Sequence, residues 1–274
     1  MNIVQAAILG VLRGVTTVLP ISGSGHISAL RQLLNVGSDE PLFAAMLWIG
    51  ILIAVCFFYR RNITVLGAEL LRVLHIKKQR ERSAQGVLRR RLLAFLLIGT
   101  IPMVISLFCR DLIRTLSGNL FFIAFAMMAN GGVIYAADRF GRGAKTARKM
   151  TVADALSIGF AQLLSLLPGL SRTGLTVAAG MTRGLDKRFS ADYSFLLSVP
   201  ALLGAVVLSL IDAASAAFSW NALLFGLIGM VLAAVCAYGA LLLIHRTIRR
   251  ETYNHFAFYC WGASAVILFL ALIS

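Results

Sequence analysis

Six apolar runs, each long enough or nearly long enough to cross a lipid bilayer as a helix, dominate this chain of 274 residues. A spanning helix needs about 20 predominantly apolar residues. The composition agrees, because 14% of the residues are charged whereas a soluble domain has about 25%. The sequence therefore predicts an all-α integral membrane protein with six transmembrane helices. The runs are Leu42–Tyr59, Leu92–Cys109, Asn119–Ala137, Tyr193–Ile211, Asn221–Ile244 and Phe256–Ile273.

Two further apolar stretches, Ile3–Leu34 and Val152–Met181, are interrupted in the middle by proline, glycine and serine. The first interruption reads LPISGSGH (Leu19–His26) and the second reads LPGLSRTGLT (Leu167–Thr176). A broken helix at membrane depth is tolerated only where protein or a water-filled cavity satisfies the freed backbone groups. We interpret both stretches as re-entrant helical hairpins that enter and leave on the same side of the membrane.

The distribution of basic residues supports this topology. With six crossings and two hairpins, the side that contains loops 60–91, 138–192 and 245–255 has 22 of the 26 Lys and Arg residues, and the other side has 4. Basic loops are cytoplasmic in multi-pass proteins, so both termini are expected to be non-cytoplasmic, in the bacterial plasma membrane. The net charge of +15 would suggest nucleic acid in a soluble protein. Here basic loops that face anionic membrane lipids are the favoured interpretation, and no nucleic-acid partner is predicted.

An internal repeat relates the two hairpins. A shift of 149 residues overlays identical residues at four pairs of positions, and the charge count places the hairpins on opposite sides of the membrane. We therefore predict a single membrane domain, 1–274, built from inverted-topology repeats of about 1–137 and 138–274. Broken helices at corresponding positions of such repeats indicate a binding site near the midplane. The pairs are Ala6/Ala155, Gly10/Gly159, Ser22/Ser171 and Gly25/Gly174.

Arg172 is the most informative residue, since a guanidinium in an apolar hairpin requires an anionic partner. Its planar donors suit phosphate oxygens, and the helix N-terminus that follows also favours an anion. We interpret Arg172 and its neighbours as a phosphate or pyrophosphate cradle. The alternative is an arginine that reaches the interface or pairs with Asp154 or Asp192. The neighbours are Ser171, Thr173, Gly174 and Thr176.

His26 ends the first break, after Ser22 and Ser24. It is predicted to face Arg172 across the repeat axis and to act as a nucleophile or general acid–base at phosphorus, with the serine hydroxyls as donors. The alternative is a hydrogen-bonded structural histidine. Arg13 is either a second phosphate ligand or an interfacial charge. Trp48, inside the first apolar run, is interpreted as a packing residue.

Carboxylates are scarce where a metal-assisted phosphate site would need them. None of the 11 Asp and Glu residues lies in the first hairpin, although hard cations prefer carboxylate ligands. Asp192, at the start of the fourth crossing, is a candidate partner for Arg172 or, alternatively, a cap of that helix. No CxxC pair occurs among the four cysteines, so neither a disulfide framework nor a zinc site is indicated.

The sequence resembles the undecaprenyl-diphosphate phosphatase family, the bacitracin-resistance membrane proteins, along essentially its whole length. The resemblance rests on RGVTTVLPISGSGH (Arg13–His26), PGLSRTGLT (Pro168–Thr176) and SADYSFLLSVPALLGA (Ser190–Ala205). It implies six crossings and two re-entrant hairpins in inverted repeats. It also implies hydrolysis of the lipid-carrier diphosphate during cell-wall biogenesis, with a divalent cation, Mg²⁺ or Ca²⁺, in a pocket open to the outer face.

The resemblance transfers family roles residue by residue. His26, Ser171, Arg172 and Thr176 match the family pattern directly, and Asp192 stands where the family often has an acidic residue. The two glutamates of the family's ExxxE arrangement correspond to Arg13 and Thr17 here. The phosphate-binding half of the site is therefore expected, whereas the metal-binding half is changed.

Three functions follow from this pattern. The first is hydrolysis of a polyprenyl diphosphate to the monophosphate and inorganic phosphate. The second is a non-hydrolytic carrier or flippase for polyprenyl phosphates, and the third is a catalytically silent paralogue. The resemblance favours the first, and the missing glutamates speak against it. The expected partners are a polyprenyl diphosphate and membrane lipids, and the oligomeric state stays open, with a homodimer as one option.

Overall fold

A computed structural model of the chain describes residues 2–33, 40–74, 84–216, 219–249 and 253–273. These residues form an all-helical protein in which no β-strand occurs in the described ranges. Large apolar side chains, such as Phe108 and Phe269, face outward from the helix bundle, as expected where lipid is the solvent. The helices are α1 Ile3–Val18, α2 Gly23–Leu33, α3 Pro41–Phe58, α4 Arg60–Val73, α5 Ala84–Thr100, α6 Arg110–Ser117, α7 Leu120–Phe140, α8 Val152–Leu164, α9 Arg172–Thr182, α10 Lys187–Ala214, α11 Trp220–Arg249 and α12 His255–Ile273.

All six predicted crossings are confirmed as helices long and apolar enough to span a membrane: α3, α5 with its continuation, α7, α10, α11 and α12. The second crossing is longer than predicted and covers Ala84–Phe108. Its last part, Ile101–Phe108, is a 3-10 helix that begins next to Pro102. Proline has no N–H and crowds the preceding turn, which explains why the regular α-helix ends at Thr100.

Both predicted hairpins consist of two short helices on either side of a break. Helices α1 and α2 flank the first break, and α8 and α9 flank the second. The hairpins also begin alike, because Asn2 and Thr151 each form a capping box with the residue three positions later. Such a box satisfies two N–H groups that a helix start leaves without partners. Leu34, the predicted end of the first hairpin, lies outside the described residues.

Each hairpin packs a glycine against the backbone of a crossing helix. Gly10 of α1 meets Gly229 of α11, and Gly159 of α8 meets Gly99 of α5. A Cβ at Gly10 would lie 2.7 Å from the Gly229 carbonyl oxygen, so only glycine allows this approach. Small residues at crossings are typical of membrane helix pairs. Gly10 and Gly159 are 149 residues apart, as the predicted repeat requires, although the boundary between the repeats near residue 137 stays a prediction.

The basic segment 60–91 is predicted to be a solvated cytoplasmic element, and the structure shows that much of it is helical. Helix α4 and the first turns of α5 occupy its two ends, and residues 75–83 lie outside the described residues. The buried carboxylate of Glu69 joins the two ends by an ion pair with Arg90 of α5, and it also pairs with Arg72 of its own helix. The charge count did not indicate this helical structure, because the segment has too few apolar residues to produce a hydropathy signal.

Candidate functional site

The breaks of the two hairpins share one hydrogen-bond motif, in which a serine caps the helix that follows. The N–H of Gly25 donates to Ser22 Oγ, and the N–H of Gly174 donates to Ser171 Oγ, each over 3.2 Å. Both serines directly precede a helix, where four N–H groups have no partner within the helix. Ser22 adopts φ = 68°, the left-handed region that non-glycine residues rarely occupy. The two serines that the sequence predicts as phosphate ligands therefore cap α2 and α9.

The two breaks are joined by direct hydrogen bonds. Ser171 Oγ donates to the carbonyl oxygen of Leu19 over 3.4 Å. Asn130, fully buried in α7, donates from Nδ2 to the Pro20 carbonyl at 3.2 Å and accepts at Oδ1 from the Ser171 N–H at 2.9 Å. One amide thus satisfies a backbone acceptor of the first hairpin and a backbone donor of the second. The predicted convergence of the hairpins inside the helix bundle is present in the structure.

A cavity of about 400 Å³ lies beside this junction. Its polar wall comes mainly from the hairpins, and its apolar wall comes mainly from α10, with Trp48, Met103 and Ile113 beside it. This combination suits an amphiphile with a polar head. The hairpin residues are Arg13, Thr16, Thr17, Gly23, Ser24, Ile27, Ser28, Arg31, Gln162, Ser165, Leu166, Leu170 and Arg172, and the other lining residues are Trp48, Met103, Ile113, Ser117, Ala201, Leu202 and Ala205.

Three guanidinium groups face this cavity, from Arg13, Arg31 and Arg172. Nε and Nη2 of Arg172 and Nε of Arg13 are buried and contact no acceptor among the described residues. Both side-chain amide atoms of Gln162 are in the same situation. Buried polar groups are nearly always hydrogen-bonded, so donors left over around one cavity indicate a polar ligand. Positive charge at membrane depth makes that ligand an anion.

Arg13 is held in place by an aromatic ring. Its guanidinium carbon lies 4.1 Å from the centroid of the Trp48 ring, a cation–π contact. Arg13 also lines the cavity, as a second phosphate ligand would, and this role stays a prediction. The interpretation of Trp48 as a packing residue was incomplete, because its ring both lines the cavity and supports the guanidinium.

His26 does not line the cavity, and the prediction that it faces Arg172 is wrong in this structure. Its Nδ1 lies 2.8 Å from the Ser22 carbonyl oxygen, and its Nε2 lies 2.9 Å from the Tyr259 hydroxyl. Helical periodicity gives the reason. Ser24, Ser28 and Arg31 share the face of α2 that lines the cavity. His26, two positions after Ser24, lies on the opposite face of the helix.

Two of the remaining predicted ligands are buried outside the cavity lining. The Thr176 hydroxyl donates to the Arg172 carbonyl at 2.7 Å and also contacts Ser194 Oγ. Thr173 is fully buried, and its hydroxyl has no partner among the described residues. Ser171, through its cap, and Thr176, through Ser194, thus position α9 and with it Arg172. Of the predicted site residues, the structure brings together Arg13, Ser24 and Arg172.

Asp192 belongs to a different cluster, and its predicted pairing with Arg172 is not formed. Its Oδ1 accepts a hydrogen bond from the Tyr59 hydroxyl at 3.0 Å and lies 3.3 Å from His245 Nε2. The Tyr59 hydroxyl also lies 2.8 Å from His245 Nε2. The alternative pairing of Arg172 with Asp154 is absent too, because Asp154 binds Arg183 and Lys145.

The donor set of the cavity does not fit a divalent cation. None of the described lining residues is Asp, Glu, His or Cys. Within the described part of the chain, no group of three or more such residues is placed to hold a metal ion. Hard cations bind to carboxylate and carbonyl oxygens, whereas this cavity presents guanidinium groups.

Comparison with known proteins establishes the family. The model of the family described as "Bacitracin resistance protein BacA" matches residues 6–266. The chain belongs to the BacA family. It is similar to the undecaprenyl-diphosphatase of Methanobrevibacter smithii, with 34% identity over 100% of this chain and 99% of that protein. It is also similar to undecaprenyl-diphosphatase 3 of Bacillus cereus, with 32% identity over 98% of each chain. A third relative, the undecaprenyl-diphosphatase of Methanosphaera stadtmanae, is 30% identical over 100% of this chain and 99% of its own length.

The site of this BacA-family protein contains residues that sequence reasoning missed. Arg31 and Ser28 follow Ser24 at helical spacing, so the shared face of α2 was a usable signal. Asn130 stands inside an otherwise apolar crossing helix, where a polar residue is expected to be functional or structural glue. Gln162 had no comparable signal, because a single amide close to a hairpin break is common in loops.

Proposed function

We propose that this protein hydrolyses undecaprenyl diphosphate, or a related polyprenyl diphosphate, to the monophosphate and inorganic phosphate at the hairpin cavity. The observation that supports this most strongly is the set of three guanidinium groups, from Arg13, Arg31 and Arg172, around one cavity. The relatives named undecaprenyl-diphosphatase, which match along essentially the whole chain, add independent support. In the cell this activity would recycle the cell-wall lipid carrier and give resistance to bacitracin.

The shape of the cavity suits the two parts of such a substrate. The phosphate groups would lie against the hairpin wall, where Arg172 and Arg13 donate. The first isoprene units would lie against the apolar wall near Met103 and Leu202, and the rest of the tail would extend into lipid. A cavity of about 400 Å³ is in the usual range for small-molecule sites, so it accommodates the head of the lipid rather than the whole molecule.

The reaction breaks the bond between the terminal phosphorus and the bridging oxygen. Water supplies the new P–O bond, the bridging oxygen stays on the lipid monophosphate, and one water proton leaves with the solvent or the product. Phosphoryl transfer proceeds through a loose transition state in which charge is spread over the oxygens, so catalysis is mostly positioning and electrostatics. In our proposal Arg172 and Arg13 stabilise that charge. The Ser24 hydroxyl, in the first turn of α2, orients the water, and His26 positions α2 through Ser22 and Tyr259.

We also propose the membrane side of the site. The basic loops 60–91, 138–192 and 245–255 favour a cytoplasmic location for their ends of the helices. The first hairpin then enters from the opposite side, and its Arg13, Ser24 and Arg31 line the cavity. The substrate would therefore enter from the outer leaflet of the plasma membrane, and both termini would lie outside the cytoplasm.

A non-hydrolytic carrier for polyprenyl phosphates is the second candidate. Its supporting observation is that no carboxylate or imidazole lines the cavity among the described residues, so no side chain there is an obvious general base. Inverted repeats with a midplane site are also typical of transporters. Hydrolysis remains the preferred function, because phosphoryl transfer depends less on a base than on charge stabilisation.

The test is phosphate release from farnesyl diphosphate and undecaprenyl diphosphate by the purified protein in lipid nanodiscs. Arg172→Ala is expected to lower the rate by at least about 100-fold, the usual effect of removing one donor to a developing anion. Arg188→Ala, which removes an exposed arginine at the start of α10, is the matched control and should leave the rate unchanged. If the wild-type protein releases phosphate no faster than Arg172→Ala does but still binds lipid phosphate, the carrier is favoured instead.

A further inference from the structure

We propose that the cavity binds its phosphorylated ligand without a divalent cation, because the guanidinium of Arg13 supplies the positive charge that a metal ion would otherwise provide. This inference rests on the proposed function for the nature of the ligand, a lipid with a phosphate or diphosphate head. It concerns binding, however, and can be tested without any hydrolysis.

The position of Arg13 supports this role. Arg13 lies in α1, less than two turns before the break, and its side chain is held by the contact with Trp48. The indole ring covers one face of the guanidinium plane, whereas the N–H donors lie in the plane and point outward from its edge. Its Nε is buried and has no acceptor among the described residues. The ring thus fixes the orientation of the group and leaves its donors available to a ligand.

The charges around the cavity favour an anion and oppose a metal ion. Arg172 and Arg13 face the same space, with Arg31 as a third lining cation, and none of the described lining residues is acidic. A divalent cation at this position would be repelled by these groups. Among the described lining residues it would find only neutral side-chain oxygens, from Thr16, Thr17, Ser24, Ser28, Ser117, Gln162 and Ser165. An oxyanion, in contrast, would find several N–H donors of matching geometry.

Guanidinium and metal ion would also differ in how they respond to conditions. A bound Mg²⁺ is removed by a chelator, whereas arginine is covalently part of the chain and stays charged at every accessible pH. Arginine also presents two parallel N–H groups to a phosphate, so a lysine of equal charge would replace it only in part. Binding that persists in EDTA and depends on the shape of the side chain at position 13 would therefore identify the guanidinium as the ligand-binding cation.

The experiment measures binding of farnesyl diphosphate to the protein in nanodiscs by isothermal titration calorimetry, in 5 mM EDTA and in 5 mM Mg²⁺ (on the order of cellular metal levels, chosen so that a cation site of ordinary affinity would be filled). In a parallel series, a slowly hydrolysed methylene analogue replaces farnesyl diphosphate as the titrated ligand, so that turnover does not contribute heat. Inorganic pyrophosphate is the third ligand and separates recognition of the lipid from recognition of the phosphate groups alone.

We expect the wild-type Kd in EDTA to agree with that in Mg²⁺ within about twofold. Arg13→Met, of similar length and without charge, is expected to weaken binding by about tenfold or more in both buffers, since the phosphate loses its charge-assisted hydrogen bonds to position 13. Arg13→Lys should lie between the two. Arg188→Met is the matched control and should bind as the wild type does. Pyrophosphate should bind more weakly than the lipid, because it makes no contact with the apolar wall.

Two results would overturn the proposal. One is wild-type binding that disappears in EDTA and returns with Mg²⁺, and the other is Arg13→Met binding equal to that of the wild type in EDTA. Thermal unfolding in nanodiscs identifies a variant that fails to fold, and Arg13→Lys then provides the comparison. If no phosphate is released but binding in EDTA depends on Arg13, the proposed hydrolysis fails while this inference stands. If phosphate is released but the ligand binds only in Mg²⁺, the proposed hydrolysis stands while this inference fails.

Discussion

Ser171 donates a hydrogen bond from its hydroxyl to the carbonyl oxygen of Leu19, 152 positions earlier in the chain, and so joins the breaks of the two hairpins. Asn130 completes the junction through the Pro20 carbonyl and the Ser171 N–H. Because Arg172 follows Ser171 directly, this junction holds the backbone from which the Arg172 side chain extends. The arrangement of the cavity therefore depends on the contact between the two breaks.

The first prediction concerns Asn130. We expect Asn130→Leu to destabilise the protein by about 1–3 kcal/mol, because the buried Ser171 N–H loses its acceptor and the Pro20 carbonyl keeps only the weak thiol donor of Cys260. Thermal unfolding in detergent micelles measures the change. Asn221→Leu, at an exposed position near the start of α11, is the control. An Asn130→Leu protein that melts with the wild type would show that the junction is not held by this amide.

The second prediction concerns the close approach of α1 and α11. Gly10→Ala is expected to lower the folded yield and the melting temperature, since its Cβ would lie 2.7 Å from the Gly229 carbonyl oxygen. Gly239→Ala, in α11 where nothing lies within 4 Å, should be neutral or stabilise by up to about 1 kcal/mol through helix propensity. Equal melting temperatures for the two variants would contradict the packing described here.

The third prediction concerns the pH dependence of stability. The hydrogen bond from Arg90, together with that from Arg72, lowers the pKa of Glu69 below its ordinary value of 4.5. A carboxylate with a lowered pKa in the folded state stabilises the protein fully above its unfolded pKa, and this stabilisation is lost as the pH falls through the lower folded value. Glu69→Gln should therefore melt below the wild type at pH 7, and the gap should close progressively below about pH 4.5. A gap that is independent of pH between 3 and 7 would exclude this assignment (the range brackets the ordinary carboxyl pKa).

The fourth prediction separates two roles of His26. Because both ring nitrogens are engaged, by Ser22 and Tyr259, His26→Gln should lower the melting temperature. Phosphate release, normalised to folded protein, should stay within about threefold of the wild type, a change of less than about 1 kcal/mol in the barrier. Tyr259→Phe, which removes only the hydroxyl, should behave in the same way. Loss of release as severe as in Arg172→Ala would restore His26 as a reactive group.

The sequence predicted the helix content well because lipid imposes strict rules. Apolar length identified the six crossings, and the Pro-Gly-Ser interruptions identified both hairpins, since neither signal depends on tertiary contacts. The serine pair at positions 22 and 171 was found by the repeat, but its role was not. A serine at a break is equally suited to bind phosphate and to cap a helix. The hydrogen bonds from the N–H groups of Gly25 and Gly174 identify the cap.

The site was predicted in part, and the residues that failed have a common reason. Arg172 and Arg13 were found because a charge inside an apolar hairpin is conspicuous. The direction of His26 and the partner of Asp192 were not, because both depend on which helix packs alongside. Tyr259 and His245, the residues that they contact, are more than 50 positions away in sequence, and nothing in the local pattern indicates those contacts.

The most direct measurement is an electron cryo-microscopy structure of the protein in nanodiscs with the methylene analogue of farnesyl diphosphate. The account predicts both phosphonate groups in the hairpin cavity, with their oxygens within hydrogen-bonding distance of Arg172 and Arg13 and the isoprenoid chain against Leu202. A head group bound elsewhere, for example beside His26 and Tyr259 or at the Asp192 cluster, would contradict it.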